Sequence, residues 1–234
     1  MPDNPAPLIL LTRPRAQSER FATAIGDMAD VLIMPLMDIV PTGTRPALDD
    51  ADGLIFTSEN GVHMFAALSP RRDLPAWCVG DRTAEVAAAL GMTAHSAAGT
   101  ADDLLTMLAA IRPTGRILHL HGLHTRGDVA ARLRDIGINA EGVAVYDQRR
   151  ISPAPDLGEV LTEGRLVIVP LFSPRSARIF AEEAGKTPRP SIRLVCLSNA
   201  VCQSLPDEWR SCATISAHAD ANAMVQAIRD ELSL

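Results

Sequence analysis

The sequence predicts an α/β protein built on two parallel sheets, each of five strands. Three observations carry that prediction. Apolar, β-branched-rich runs alternate with amphipathic helical stretches along the whole chain, the pattern of strands covered on both faces by helices. The runs are too many for a single sheet of ordinary width. Finally, a set of motifs recurs in order: LIFTSENG (54–61) with PLFSPRSA (170–177), WCVGDRTA (77–84) with VCLSNAVC (195–202), and GTADDLLTMLAAI (99–111) with ADANAMVQAIRDEL (219–232). An internal repeat of this kind marks two copies of one structural unit.

Taken in chain order, the strand candidates are LILLT (8–12), VLIMP (31–35), GLIFTS (53–58), AWCVG (76–80), RILHLHG (116–122), AEGVAVY (140–146), RLVIVPLF (165–172), IRLVCLS (192–198) and ATIS (213–216). Helical periodicity falls between them, over residues 16–28, 83–90, 101–111, 128–136, 176–184 and 221–232. The repeat is not a simple tandem. Residues 1–37 supply the opening elements that the C-terminal copy lacks, so 1–37 with 149–234 makes one discontinuous domain and 42–145 an inserted one. The chain crosses between them at 38–41 and 146–148. Both crossings show strand-like alternation, and Pro41, Pro46, Pro153 and Pro155 flank them; together they predict a two-stranded hinge. Pro170 interrupts an otherwise apolar strand, so ladder pairing there is expected to be incomplete.

Composition narrows the function. The chain has 234 residues, 47% of them hydrophobic but only 3% aromatic, so the core must be aliphatic. A net charge of −6 points away from nucleic acid or an anionic membrane. Lys186 is the only lysine among 22 basic residues, which argues against a Schiff-base lysine and leaves Arg for carboxylate or phosphate binding. The four cysteines form no C-x-x-C pair and read as reduced thiols of a cytoplasmic protein. The first apolar run is too short for a signal peptide or a membrane span. His119, His121 and His124 have a metal-like spacing, but no carboxylate or cysteine is placed by sequence to complete a site.

The motifs LLTRP (10–14), GLIFTSENGV (53–62), VGDRTA (79–84), GTADDLL (99–105), HGLHTRGDVAARLRDIGINAEGVAVYDQ (121–148), FSPRSA (172–177) and CLSNAVCQSL (196–205) together make the chain resemble uroporphyrinogen-III synthases. Their order runs from end to end. The resemblance implies two flavodoxin-like domains joined by a two-stranded linker, with an active site in the cleft between them. It implies no cofactor and no metal, a monomer, and a possible transient contact with hydroxymethylbilane synthase. The implied reaction closes hydroxymethylbilane into uroporphyrinogen III, losing water and inverting ring D. Where the family commonly has a Gly in the second domain, this chain has Leu197-Ser198.

That substrate bears carboxylates on every ring, and this protein is net negative. Strand-to-helix turns resolve the mismatch, because helix N-termini present N–H groups and a partial positive charge. Carried over residue by residue, the resemblance implies that Thr57, Ser58 and Asn60 form one lip, Gly80 and Thr83 a second, and Ser173, Ser176 and Ser198 a facing set, with Arg13 adding charge. Each hydroxyl also reads as a simple helix cap. Tyr146, the only tyrosine, matches the family's V-Y motif, which implies a proton donor for the leaving hydroxyl; a half-buried strand tyrosine is the bland reading. A non-catalytic, two-lobed small-molecule binding module remains the alternative.

Overall fold

The computed structural model of the chain describes residues 6–125, 127–152, 156–161, 164–185 and 187–233. Pro153 and Pro155 lie outside them. In chain order the elements are β1 (Leu8–Leu11), α1 (Arg15–Ile25), β2 (Asp30–Ile33), β3 (Met37–Pro41), β4 (Ala51–Phe56), α2 (Glu59–Leu68), β5 (Ala76–Cys78) and α3 (Asp81–Ala89). There follow β6 (Ala94–Ser96), α4 (Ala101–Ile111), β7 (Arg116–Gly122), α5 (Val129–Asp135), β8 (Ala140–Arg150) and α6 (Leu157–Val160). The chain closes with β9 (Val167–Leu171), α7 (Pro174–Ala184), β10 (Ile192–Cys196), α8 (Asn199–Cys202), α9 (Asp207–Arg210), β11 (Ala213–Ile215) and α10 (Ala221–Leu232).

These elements divide into two units. One runs to Asp38 and resumes at Arg149; the other is Ile39–Gln148. The first contains a sheet in the order β11-β10-β9-β1-β2, with its strands parallel. The second contains the order β3-β8-β7-β4-β5-β6. The expectation of five strands in each sheet therefore needs correction: the second has six. β3 is the addition, lying beside β8, where Thr42 N–H donates to the Val145 carbonyl. β6 went unseen by apolar pattern because its three residues, Ala-His-Ser, hold no apolar run.

The apolar runs are continuous because both faces of each sheet are covered. In the first unit Leu8, Leu10, Val169 and Leu194 face one core, and Ile9, Leu11, Ile168 and Val195 face the other. In the second, Leu54, Phe56, Leu118 and Leu120 point one way, and Ile55 and Ile117 the opposite way. This is the period-two alternation of a strand with every side chain buried. Pro170 has the predicted effect. β9 pairs with β10 along its whole length, but with β1 only at Leu8↔Val167 and Ile9↔Ile168, since Pro lacks the N–H that the next rung needs.

The two sheets share one spatial arrangement reached by different chain paths. Reading β9, β10, β11, β1, β2 against β4, β5, β6, β7, β8 gives the same order of neighbours. One unit is thus a circular permutation of the other, apart from the added β3.

Candidate functional site

The strand ends of the second unit place the first group of predicted residues. β4 ends at the fully buried Phe56 and the chain turns through Thr57 and Ser58 into α2. Ser58 is extended and its hydroxyl accepts from the Asn60 N–H at 3.2 Å, satisfying one of the helix's orphan donors. Gly61 lets α2 lie close to β7: a Cβ there would come within 2.7 Å of the Leu120 carbonyl oxygen. Thr57 Oγ1 is 3.2 Å from His119 Nε2. His119 is only 3% exposed, and burial, aided by the neighbouring His121, pushes its pKa down to about 3. It is a neutral imidazole that fixes the Thr57 hydroxyl.

Tyr146 sits at the same end. Its ring lies close against Gly122, where a Cβ would stand 2.6 Å from a ring-edge carbon, and Ser58 and Asn60 are near enough to act on its phenol. The side chain is 5% exposed and packs in the core with Phe56 and Leu120. Burial raises the phenol's pKa, and the neighbouring polar groups of Ser58, Asn60 and Gly122 oppose that rise. The group is therefore protonated at neutral pH. Gly80 precedes α3 with an extended φ of −136°, and open space surrounds the position a Cβ would take. Thr83, in the first turn of α3, is buried.

His119 and His121 lie side by side, their ring centroids 4.7 Å apart. His121 Nδ1–H donates to the Gly122 carbonyl at 2.8 Å, while His124 Nε2 lies 3.4 Å from Asp147. No group of three His, Cys, Asp or Glu among the described residues could hold a metal ion. A cavity of about 320 Å³ opens beside His119, His121, Asp128 and Arg134.

In the first unit Arg13 follows β1, its guanidinium carbon 4.2 Å above the Phe172 ring. Phe172 in turn meets Phe21 edge to face, so the cation rests on a fixed aromatic platform at the exit of β9. Ser173 and Ser176 form a reciprocal capping box: each side chain accepts from the other's backbone N–H. Ser176 is buried and also donates to the Ser173 carbonyl. Ser198 precedes α8 and its hydroxyl makes no capping bond. A cavity of about 880 Å³ lies elsewhere, beside α7 and α9 against Trp209 and Leu205, and none of the predicted residues lines it.

The structure thus gathers Ser58, Asn60 and Tyr146 directly, ties Thr57 to them through β7, and places Arg13 next to the turn carrying Ser173. Sequence reasoning missed Gly122 and Phe172, and saw in His119 a metal-like spacing to which it assigned no metal. The HLHG ending of β7 was the available signal for Gly122, but its meaning depends on a ring far along the chain.

Comparison with known proteins decides the family. The family model described as uroporphyrinogen-III synthase HemD matches residues 20–226. The chain belongs to the uroporphyrinogen-III synthase family. Among solved structures, uroporphyrinogen-III synthetase from Helicobacter pylori 26695 is similar with a TM-score of 0.69 at 13% identity, covering 95% of this chain and 98% of that one. A mutant uroporphyrinogen III synthase from the extreme thermophile Thermus thermophilus gives a TM-score of 0.49 at 17% identity, over 97% and 98% of the two chains. No curated protein matches the sequence. The Helicobacter likeness shows that the synthase fold extends over nearly the whole of this chain. No helix among the described residues is long and apolar enough to cross a membrane.

Proposed function

We propose that this synthase cyclises hydroxymethylbilane to uroporphyrinogen III, with loss of water and inversion of ring D, without metal or cofactor. The family match across residues 20–226 carries the reading. Each unit is read as a flavodoxin-like domain, since both sheets have the 2-1-3-4-5 order when the permutation is allowed for; β3 and β8 are read as the linker. Cytoplasmic location and a monomeric state follow from the family reading.

In this mechanism Tyr146 donates its phenolic proton to the departing hydroxyl of ring A, which leaves as water. The azafulvenium cation left behind, its ring A N–H retained, is attacked by the substituted carbon of ring D. The resulting spiro intermediate fragments and recloses through the other carbon. The proton released as ring D regains aromaticity returns to the Tyr146 oxygen. The Ser58, Asn60 and Gly122 contacts favour the transient phenolate, because they oppose the pKa rise that burial imposes. Substrate carboxylates are bound at the strand-end turns, by the N–H groups around Gly80 and Ser198 and by Arg13. Most of the rate comes from folding the chain of pyrroles so that the substituted carbon is presented.

The deciding assay supplies enzymatically generated hydroxymethylbilane and resolves the isomers after oxidation. Enrichment in isomer III supports the reading; isomer I alone refutes it. Tyr146→Phe is expected to lower kcat by about a hundredfold or more while leaving the thermal midpoint nearly unchanged. Turnover at the parent rate would remove Tyr146 from the mechanism.

A further inference from the structure

We infer that Phe172 is a positioning residue for substrate binding: it holds the Arg13 guanidinium at a carboxylate subsite in the crevice between the ends of β1 and β9. This inference rests on the reading of hydroxymethylbilane as substrate. The topology supplies the place. From β1 the sheet continues outward to β2 on one side, and from β9 to β10 and β11 on the other. Open parallel sheets bind ligands beyond the carboxyl ends of the strands at such a switch point. Pro170 ends the ladder early there. β1 and β9 pair only at Leu8↔Val167 and Ile9↔Ile168, whereas β9 stays paired with β10 as far as Leu171. Beyond the last rung, Arg13 and Phe172 meet across the crevice.

Arg13 is held at both ends. Its carbonyl accepts from the buried Ser18 hydroxyl at 2.9 Å, and the Pro14 that follows disfavours a helical backbone at Arg13. Its guanidinium carbon lies 4.2 Å from the centre of the Phe172 ring, over the ring face. That ring cannot swing away without breaking its edge-to-face contact with the buried Phe21, at 4.9 Å between centroids and 83° between planes. A long side chain with many rotamers is thereby ordered before substrate arrives, so less entropy is lost on binding. The five N–H donors of a guanidinium radiate from the carbon in a fork that matches a carboxylate. The neighbouring serines are engaged with each other: Ser173 N–H donates to the Ser176 hydroxyl oxygen, and Ser176 N–H to that of Ser173. Carboxylate binding at this crevice therefore falls to Arg13.

Phe172→Leu preserves an apolar neighbour for Phe21 but removes the ring face. It should raise KM for hydroxymethylbilane by about five- to tenfold with kcat near that of the parent. Phe172→Tyr, which restores the face, should bring KM back. In an Arg13→Met background Phe172→Leu should add nothing further to KM, because the ring acts through the cation. A parent KM in Phe172→Leu, or an additive rise in the double variant, would overturn the inference. The seat is also read without turnover, in the full-length protein labelled at arginine. The δ-methylene protons of Arg13, assigned by their loss in Arg13→Met, should be shifted upfield by the ring and return to their ordinary position in Phe172→Leu. Unshifted protons in the parent would equally overturn it. The isomer assay on the parent tests the reaction and the δ-proton shift tests the seat, so a failure of one is told apart from a failure of the other.

Discussion

At the residue scale the buried His119 gives the sharpest physical consequence. Its pKa is near 3 in the folded chain and near 6.5 in the ordinary state. Between those values the unfolded form binds the extra proton, so stability rises with pH across that window and is lost as pH falls. Taking the protein from pH 6.5 to pH 5 should cost about 2 kcal/mol from this residue. His119→Gln, which cannot titrate but retains polar partners for Thr57, should flatten the dependence in urea unfolding at the two pH values. Gly80 offers a test of a different kind. Its φ is ordinary and its surroundings open, so Gly80→Ala should alter stability by less than about 0.5 kcal/mol. A severalfold rise in KM would then mean that substrate comes close to that backbone; an unchanged KM would exclude it from the binding surface.

At the element scale the turns do two jobs, and the two can be separated. The Ser173–Ser176 box satisfies the orphan donors of α7 from within. Ser176→Ala should lower stability by about 1 kcal/mol and leave kcat/KM unchanged, as chemical denaturation and steady-state rates would report. The strands of this protein were easy to read wherever burial on both faces made the run continuous, as in LILL of β1 and VIVPL of β9. Even the partial pairing of β9 was legible, because Pro170 has one chemical meaning in a ladder. β6 was not, since three residues at a sheet edge need no apolar signature. The candidate site was legible only in half. Turn residues announce helix starts locally, but Gly61 and Gly122 are glycines for the sake of Leu120 and Tyr146, which the fold brings to them. The same holds for Thr57, whose partner His119 looked from spacing alone like a metal ligand.

At the scale of the whole molecule, two copies of one sheet order differ in where the chain begins. The inserted unit takes β4 to β8 from one uninterrupted stretch and adds β3 at its edge. The discontinuous unit must join β1 to β9 across that entire insertion. Contacts between distant segments form late, because the intervening chain must first be confined. In pulse-labelled hydrogen exchange during refolding, amides of β4 and β7 should gain protection before those of β1; simultaneous protection would show that the units fold as one. On the ribosome the consequence is stricter still. Leu8–Leu11 leaves the exit tunnel ahead of the other strands of its sheet, yet it has only β2 beside it until β9 emerges. This wholly apolar strand therefore waits, one edge unpaired, through synthesis of the other unit, and is the segment of the nascent chain most in need of a chaperone.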